Sequence, residues 1–169
     1  MEYLRATKFG DRTDEFAEIF EKTYPDYQPK DLFDTDITFR PSTIAQANVK
    51  VAQQGAPVYM YMFTWESPVM DGILRSTHCM EIPFVFNNAD LHASMTGGGK
   101  EAVELADKMS QAWINFARTV DPPPVGPPRW AAYAPGDGSM MIFDTRCEVR
   151  YNHDKELMEF VRQFPTRGF

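Results

Sequence analysis

The sequence has only two cysteines, three histidines and no apolar run of bilayer length. Cys79 and Cys147 cannot build the disulfide framework of a small secreted domain, so they read as reduced, buried thiols of a cytoplasmic protein. No segment approaches the roughly 18 to 20 apolar residues that span a bilayer, which excludes a membrane partner at this level. The first residues, "MEYLRATKFGD", have no apolar core, and this predicts no signal peptide. Positive charge is scarce: 17 Lys and Arg stand against 24 Asp and Glu, giving a net charge of −7. Those cations are scattered, whereas phosphate contacts need a concentrated basic patch, so no nucleic-acid partner is expected. Internal repeats are also missing, which sets aside the solenoid architectures.

What is present is a core. Hydrophobic residues make up 43% of the 169 positions and aromatics 14%, enough to offset the entropy of ordering one domain. "RTDEFAEIFEKTYP" places Phe16, Ile19, Phe20 and Thr23 at helical spacing, with Thr13 predicted to cap the helix and Pro25 to end it. "FRPSTIAQANVKVAQQG" predicts a second helix, with Pro41 in its first turn, an Ile44–Ala47–Val51 stripe and Gly55 as its stop. "PVYMYMF", residues 57–63, is apolar on both faces and predicts a buried strand of a parallel sheet. The longest predicted helix follows "GGGK", with Val103, Ala106, Met109, Trp113, Phe116 and Val120 as its stripe, and it must stop at "DPPPVGPP". "SMMIFD" and "CEVRYN" predict a β-hairpin, and "DKELMEFVRQF" a closing helix with acids at its start. The order implies an α/β class with few strands, flanking helices and a terminal β-hairpin. A parallel sheet needs several buried strands, and only one strong candidate is found, so the chain reads as part of a larger fold.

Between the strand and the long helix lies "TWESPVMDGILRSTHCMEIP", an irregular segment of the kind in which α/β folds keep their chemistry. It sets His78 three residues before Glu81 and then enters "IPFVF", an apolar segment that reads as strand-like. On residue types alone, His78 is a hydrogen-bonded structural histidine, an acid/base group or a metal ligand. The metal reading lacks a second ligand at helical spacing, and His92 and His153 lie in unrelated polar contexts, so no metal or cofactor is expected. Glu81 is spaced to brace the loop. Cys79 is adjacent to His78, and adjacent side chains usually point apart, which disfavours a thiol nucleophile. "GGGK" is followed by Glu101 instead of a hydroxyl residue and fails the phosphate-loop pattern.

Taken in order, these segments resemble the type-B carboxylesterase family, the α/β-hydrolases that include para-nitrobenzyl esterases and cholinesterases. "LFDTDITFRPSTIAQA" is similar to the D-x-x-F-x-x-P helix start, where Asp34 and Asp36 fall, and "GAPVYMYMFTWESP" to the G-x-P-V-Y-x-Y-x-F strand. "STHCMEIPFVFNN" matches H-x-x-E-[IL]-P-[FY]-V-F, and "AWINFARTVDPPPVGPPRWAAY" the W-x-x-F-A helix with a later tryptophan and tyrosine. Ala131, where the family usually has proline, and the proline run after Arg118 depart from the pattern. The resemblance implies that residues 1–169 form the C-terminal part of an α/β-hydrolase domain, with His78 as the catalytic histidine and Glu81 as a loop brace. Trp65, Leu74, Thr77 and Met80 are the implied substrate-pocket residues, and the implied substrate is a small-molecule carboxylic ester. The rest of the triad is missing, because no serine stands in G-x-S-x-G and too few residues precede His78 for the family's acid. The implied partners are therefore an N-terminal half or a second copy, and the chain alone is expected to be inactive. A non-catalytic interaction module is the alternative from another class.

Overall fold

The computed structural model describes residues 1–33, 36–122 and 129–164. In chain order the helices and strands are α1 (Glu2–Leu4), α2 (Thr13–Thr23), α3 (Asp36–Ala52), β1 (Tyr61–Phe63), α4 (Ile82–Val85), α5 (Ala93–Thr96), α6 (Lys100–Thr119), β2 (Met140–Phe143), β3 (Glu148–Arg150) and α7 (Lys155–Val161). Asp34 and most of the proline run, residues 123–128, lie outside the described residues. No helix among the described residues is long and apolar enough to cross a membrane.

The described residues form two compact units, one of residues 1–49 with the segment from Asp154 onward, the other of residues 50–153. Chain length argues for one core, and the structure holds two apolar clusters. The first unit is helical. Phe16 and Phe20, four residues apart on α2, are buried with Leu4 and Phe9 and with Leu157 and Phe160 of α7. Phe9 stacks on Phe16 with ring centroids 4.2 Å apart. Thr13 does not cap α2. It is buried, and its hydroxyl donates to the Gly10 carbonyl at 2.7 Å, a local bond that competes with capping geometry.

Arg40, on α3, is the buried charge of this unit, at 5% exposure. Its guanidinium donates to Asp36 one turn earlier and to Asp154 at 2.8 Å, and lies 3.4 Å from the Tyr24 hydroxyl. Tyr24 in turn donates to Asp154. Burial opposes the guanidinium charge, but Asp36, Tyr24 and Asp154 outweigh it and hold Arg40 more firmly protonated than usual. Burial pushes the Tyr24 phenol well above the ordinary tyrosine range, and Asp154 adds to this against Arg40. Pro41 lies inside α3 because the helix begins at Asp36, earlier than predicted. The backbone leaves α3 at Gln54, in the left-handed region at φ 53°, and not at Gly55.

The second unit is built on a three-stranded sheet of order β1-β2-β3. β1 runs parallel to β2, pairing Tyr61 with Met141 and Phe63 with Phe143, and β2 and β3 form the predicted antiparallel hairpin. Pairing extends upstream of β1, where the Met141 amide donates to the Met60 carbonyl at 2.9 Å and the Tyr133 amide to Val58 at 2.7 Å. The buried strand is β2, with all four residues buried, and not the 57–63 segment. A central strand is covered at both edges, whereas among the described residues β1 pairs only with β2, and Tyr61 stays 38% exposed.

The core of this unit joins Met80, Phe84, Leu105, Met109, Met141 and Phe143. On α6 the inward stripe is Ala102, Leu105, Ala106, Met109 and Ala112. It is rotated from the predicted one, and Val103, Phe116 and Val120 are exposed. Small alanines let the helix approach closely, a signal that counting large apolar residues overlooks. α6 ends at Thr119, ahead of the prolines, with Val120 left-handed at φ 60°. "IPFVF" is not a strand: Ile82–Val85 is a short helix, with Pro83 in its first turn, where a missing N–H costs nothing.

Candidate functional site

His78 follows a loop that leaves β1 and returns to it. The loop starts at Thr64, whose amide donates to the Phe143 carbonyl at 2.9 Å, and it closes when the Ser76 hydroxyl donates to the Phe63 carbonyl at 3.0 Å. This second bond ties the His78 turn to the carboxyl end of a parallel strand. Two further links cross the loop neck. The Ser67 amide donates to the Arg75 carbonyl at 3.1 Å, and the Arg75 guanidinium donates to both carboxylate oxygens of Glu66 at 2.9 and 3.0 Å. Ser67 is buried; its hydroxyl donates to the Met95 carbonyl and accepts the Val69 amide at 3.1 Å.

The backbone of the loop is tightly bent. Met70, Asp71 and Arg75 have positive φ of 54°, 56° and 50°, as does Cys79 at 66°. Few non-glycine residues adopt this region, and they persist there only where surrounding contacts fix them. Gly97, at φ 72°, ends α5 against the same loop, and a Cβ at that position would fall 2.9 Å from Cγ of Pro68.

His78 itself is exposed, in a turn closed by the Met80 amide donating to the Thr77 carbonyl at 3.0 Å. Thr77 and Cys79 are exposed beside it, so Cys79 is not the buried thiol that composition implied. Cys147 is half-buried, and its burial raises the thiol pKa. Met80 is fully buried. Glu81 is half-buried, and its main-chain carbonyl receives the amides of Phe84 and Val85 at 3.0 and 2.9 Å, which fixes the junction of the turn with α4. Its carboxylate adds to burial in raising the pKa of the Tyr61 phenol.

The four residues expected to line the pocket are divided by burial. Thr77 is exposed and Leu74 half-buried, whereas Trp65, at 4% exposure, and Met80 belong to the apolar core. Trp65 packs on Phe84 with ring centroids 5.0 Å apart, directly beneath the turn's attachment to α4. His92 is on the surface, with Nδ1 3.0 Å from the Asn88 carbonyl. Among the described residues no three or more His, Cys, Asp or Glu side chains gather to hold a metal ion.

Sequence reading missed the neck of the loop. Ser67, Ser76, Glu66 and Arg75 follow no periodicity, and the eight residues between Glu66 and Arg75 hide their pairing. The one signal was compositional: two serines and an Arg/Glu pair within a segment otherwise rich in apolar residues.

A model of the carboxylesterase family matches residues 25–161. A para-nitrobenzyl esterase of Bacillus subtilis is 31% identical over 136 residues, which cover 79% of this chain and 27% of that protein. A phenmedipham hydrolase of Pseudarthrobacter oxydans is 34% identical over 111 residues, covering 61% of this chain and 22% of its own length. Among solved structures, an esterase of Clostridium hathewayi superposes with a TM-score of 0.75 at 33% identity, over 96% of this chain and 32% of the other. A carboxylesterase of Geobacillus stearothermophilus gives 0.72 at 26% identity, over 96% and 34%. The chain thus spans about a third or less of the length of the relatives it matches.

Proposed function

Because the chain belongs to the carboxylesterase family, and its architecture is part of an α/β-hydrolase fold, we propose that it is the C-terminal portion of a serine carboxylesterase with His78 as general base and acid. One observation carries this reading: an exposed histidine lies two residues after Ser76, whose hydroxyl is bonded at the carboxyl end of a parallel strand, the end where α/β sheets bind ligands. In the reaction, the imidazole takes the proton of a serine hydroxyl as it attacks the ester carbonyl. It then gives that proton to the departing alkoxide, and activates water to release the acyl group. The serine, the acid that orients the histidine and the oxyanion donors come from residues outside this sequence, which holds no G-x-S-x-G.

The substrate is a small carboxylic ester, for which the exposed Thr77 and half-buried Leu74 are the accessible pocket residues, while Trp65 and Met80 are buried in the core. Glu81 acts as a brace through the α4 junction. Among the described residues β1 has a strand on one side only, which supports pairing with an N-terminal part of the hydrolase, and self-association is the competing use of the same edge. Hydrolysis of a short-chain nitrophenyl ester tests the assignment. The 169-residue chain alone should be inactive, and co-expression with the upstream part of a para-nitrobenzyl esterase should restore turnover. His78→Ala should lower that turnover by about four orders of magnitude. Full activity of the His78→Ala assembly would refute the assignment. A second reading, a non-catalytic binding module, is favoured by the missing nucleophile motif and would leave both preparations inactive.

A further inference from the structure

We propose that Ser76, with the Glu66–Arg75 ion pair behind it, is the positioning device of His78; this rests on the reading of His78 as the general base. Proton shuttling needs a geometry held to about 0.5 Å. His78 lies two residues after Ser76 and two before Met80. Ser76 is tied to the Phe63 carbonyl at 3.0 Å, and Met80 is locked by complete burial. The histidine backbone is therefore stretched between two fixed points, one on the sheet and one in the core.

Arg75 makes the first of these points rigid. It occupies the left-handed region at φ 50° and is held there by three separate contacts. Its amide donates to Gly72 at 3.1 Å, its carbonyl accepts the Ser67 amide at 3.1 Å, and its guanidinium clasps Glu66. Ser67, on the opposite strand of the neck, is itself anchored to Met95 from a buried position. The neck is thus fastened at Phe63, Glu66 and Ser67, and Ser76 passes that order to the turn carrying His78.

The test uses the full 169-residue chain carrying Ser76→Ala, Ser76→Thr or Glu66→Gln. Amide hydrogen exchange at Thr77–Met80 should rise about five- to tenfold in Ser76→Ala, the loss expected for one hydrogen bond, and return in Ser76→Thr. Protection in β2 and α6 should stay at the parent level. With the upstream part supplied, Ser76→Ala should lower kcat about tenfold at unchanged KM, and Ser76→Thr should restore it. Glu66→Gln, on the exposed side of the neck, should give a smaller change of the same kind and serves if Ser76→Ala does not fold. Parent-level exchange at Thr77–Met80 in a folded Ser76→Ala chain overturns the inference, and so does an activity loss that threonine fails to repair. An inactive His78→Ala beside a fully active Ser76→Ala removes the positioning role alone. An active His78→Ala removes the underlying assignment instead.

Discussion

The two units treat charge in opposite ways. The helical unit buries a guanidinium and surrounds it with Asp36, Asp154 and the Tyr24 phenol. Among the described residues of the sheet unit, the buried polar residues are the neutral Ser67, Thr96, Ser110 and Ser139, and its histidine turn lies in solvent. A buried charge needs every partner in place, so it reports on architecture, whereas an exposed titratable group held by ordered backbone remains available for chemistry.

Four substitutions or conditions can break or sharpen that contrast. Arg40→Ala deprives the buried Asp154 of its guanidinium partner and should destabilise the helical unit by about 3–5 kcal/mol, seen as lost amide protection in α2 and α7. Met109→Ala opens a cavity in the sheet unit and should cost about 2–4 kcal/mol, read from urea unfolding followed by Trp fluorescence. The third test is alkaline. Tyr24 keeps its proton to higher pH when folded than when unfolded, mainly because it is buried, so its contribution is complete below the unfolded pKa of about 10. That contribution should fade as pH climbs from there towards the folded value, by at most about 1.4 kcal/mol per pH unit, and Tyr24→Phe should flatten the slope. His78→Ala is the smallest: exposed as it is, the substitution should change unfolding free energy by about 0.5 kcal/mol or less. A large loss of stability there would make the histidine an architectural residue like Arg40 and erase the contrast.

Much of this was legible in the residues. Helices α2, α6 and α7 and the β2–β3 hairpin lie where periodicity and turn residues put them, because their patterns are long or sharply punctuated. The family pattern around His78 was readable for the same reason, as several local motifs in a fixed order. Short segments were not. Four residues of β2 carry too little pattern to reveal a central strand, and "IPFVF" reads as strand on composition while Pro83 favours a helical first turn. Asp36 and Arg40 are spaced one helical turn apart and could have been paired, but Asp154 lies 114 residues beyond Arg40. Contacts of that reach are set by tertiary packing, as is the neck between Ser76 and Phe63.

Gly97 gives the loop a guardian outside itself. With Pro68 only 2.9 Å from where a methyl would stand, and a left-handed backbone besides, no side chain is accommodated there without displacing its neighbour. Mutational drift can repaint the loop's outer face, yet the loop's seat is protected by a residue some twenty positions downstream of His78. Selection on the loop's shape would thus be felt as the persistence of a hydrogen atom in place of a methyl group, in a helix end outside the loop itself.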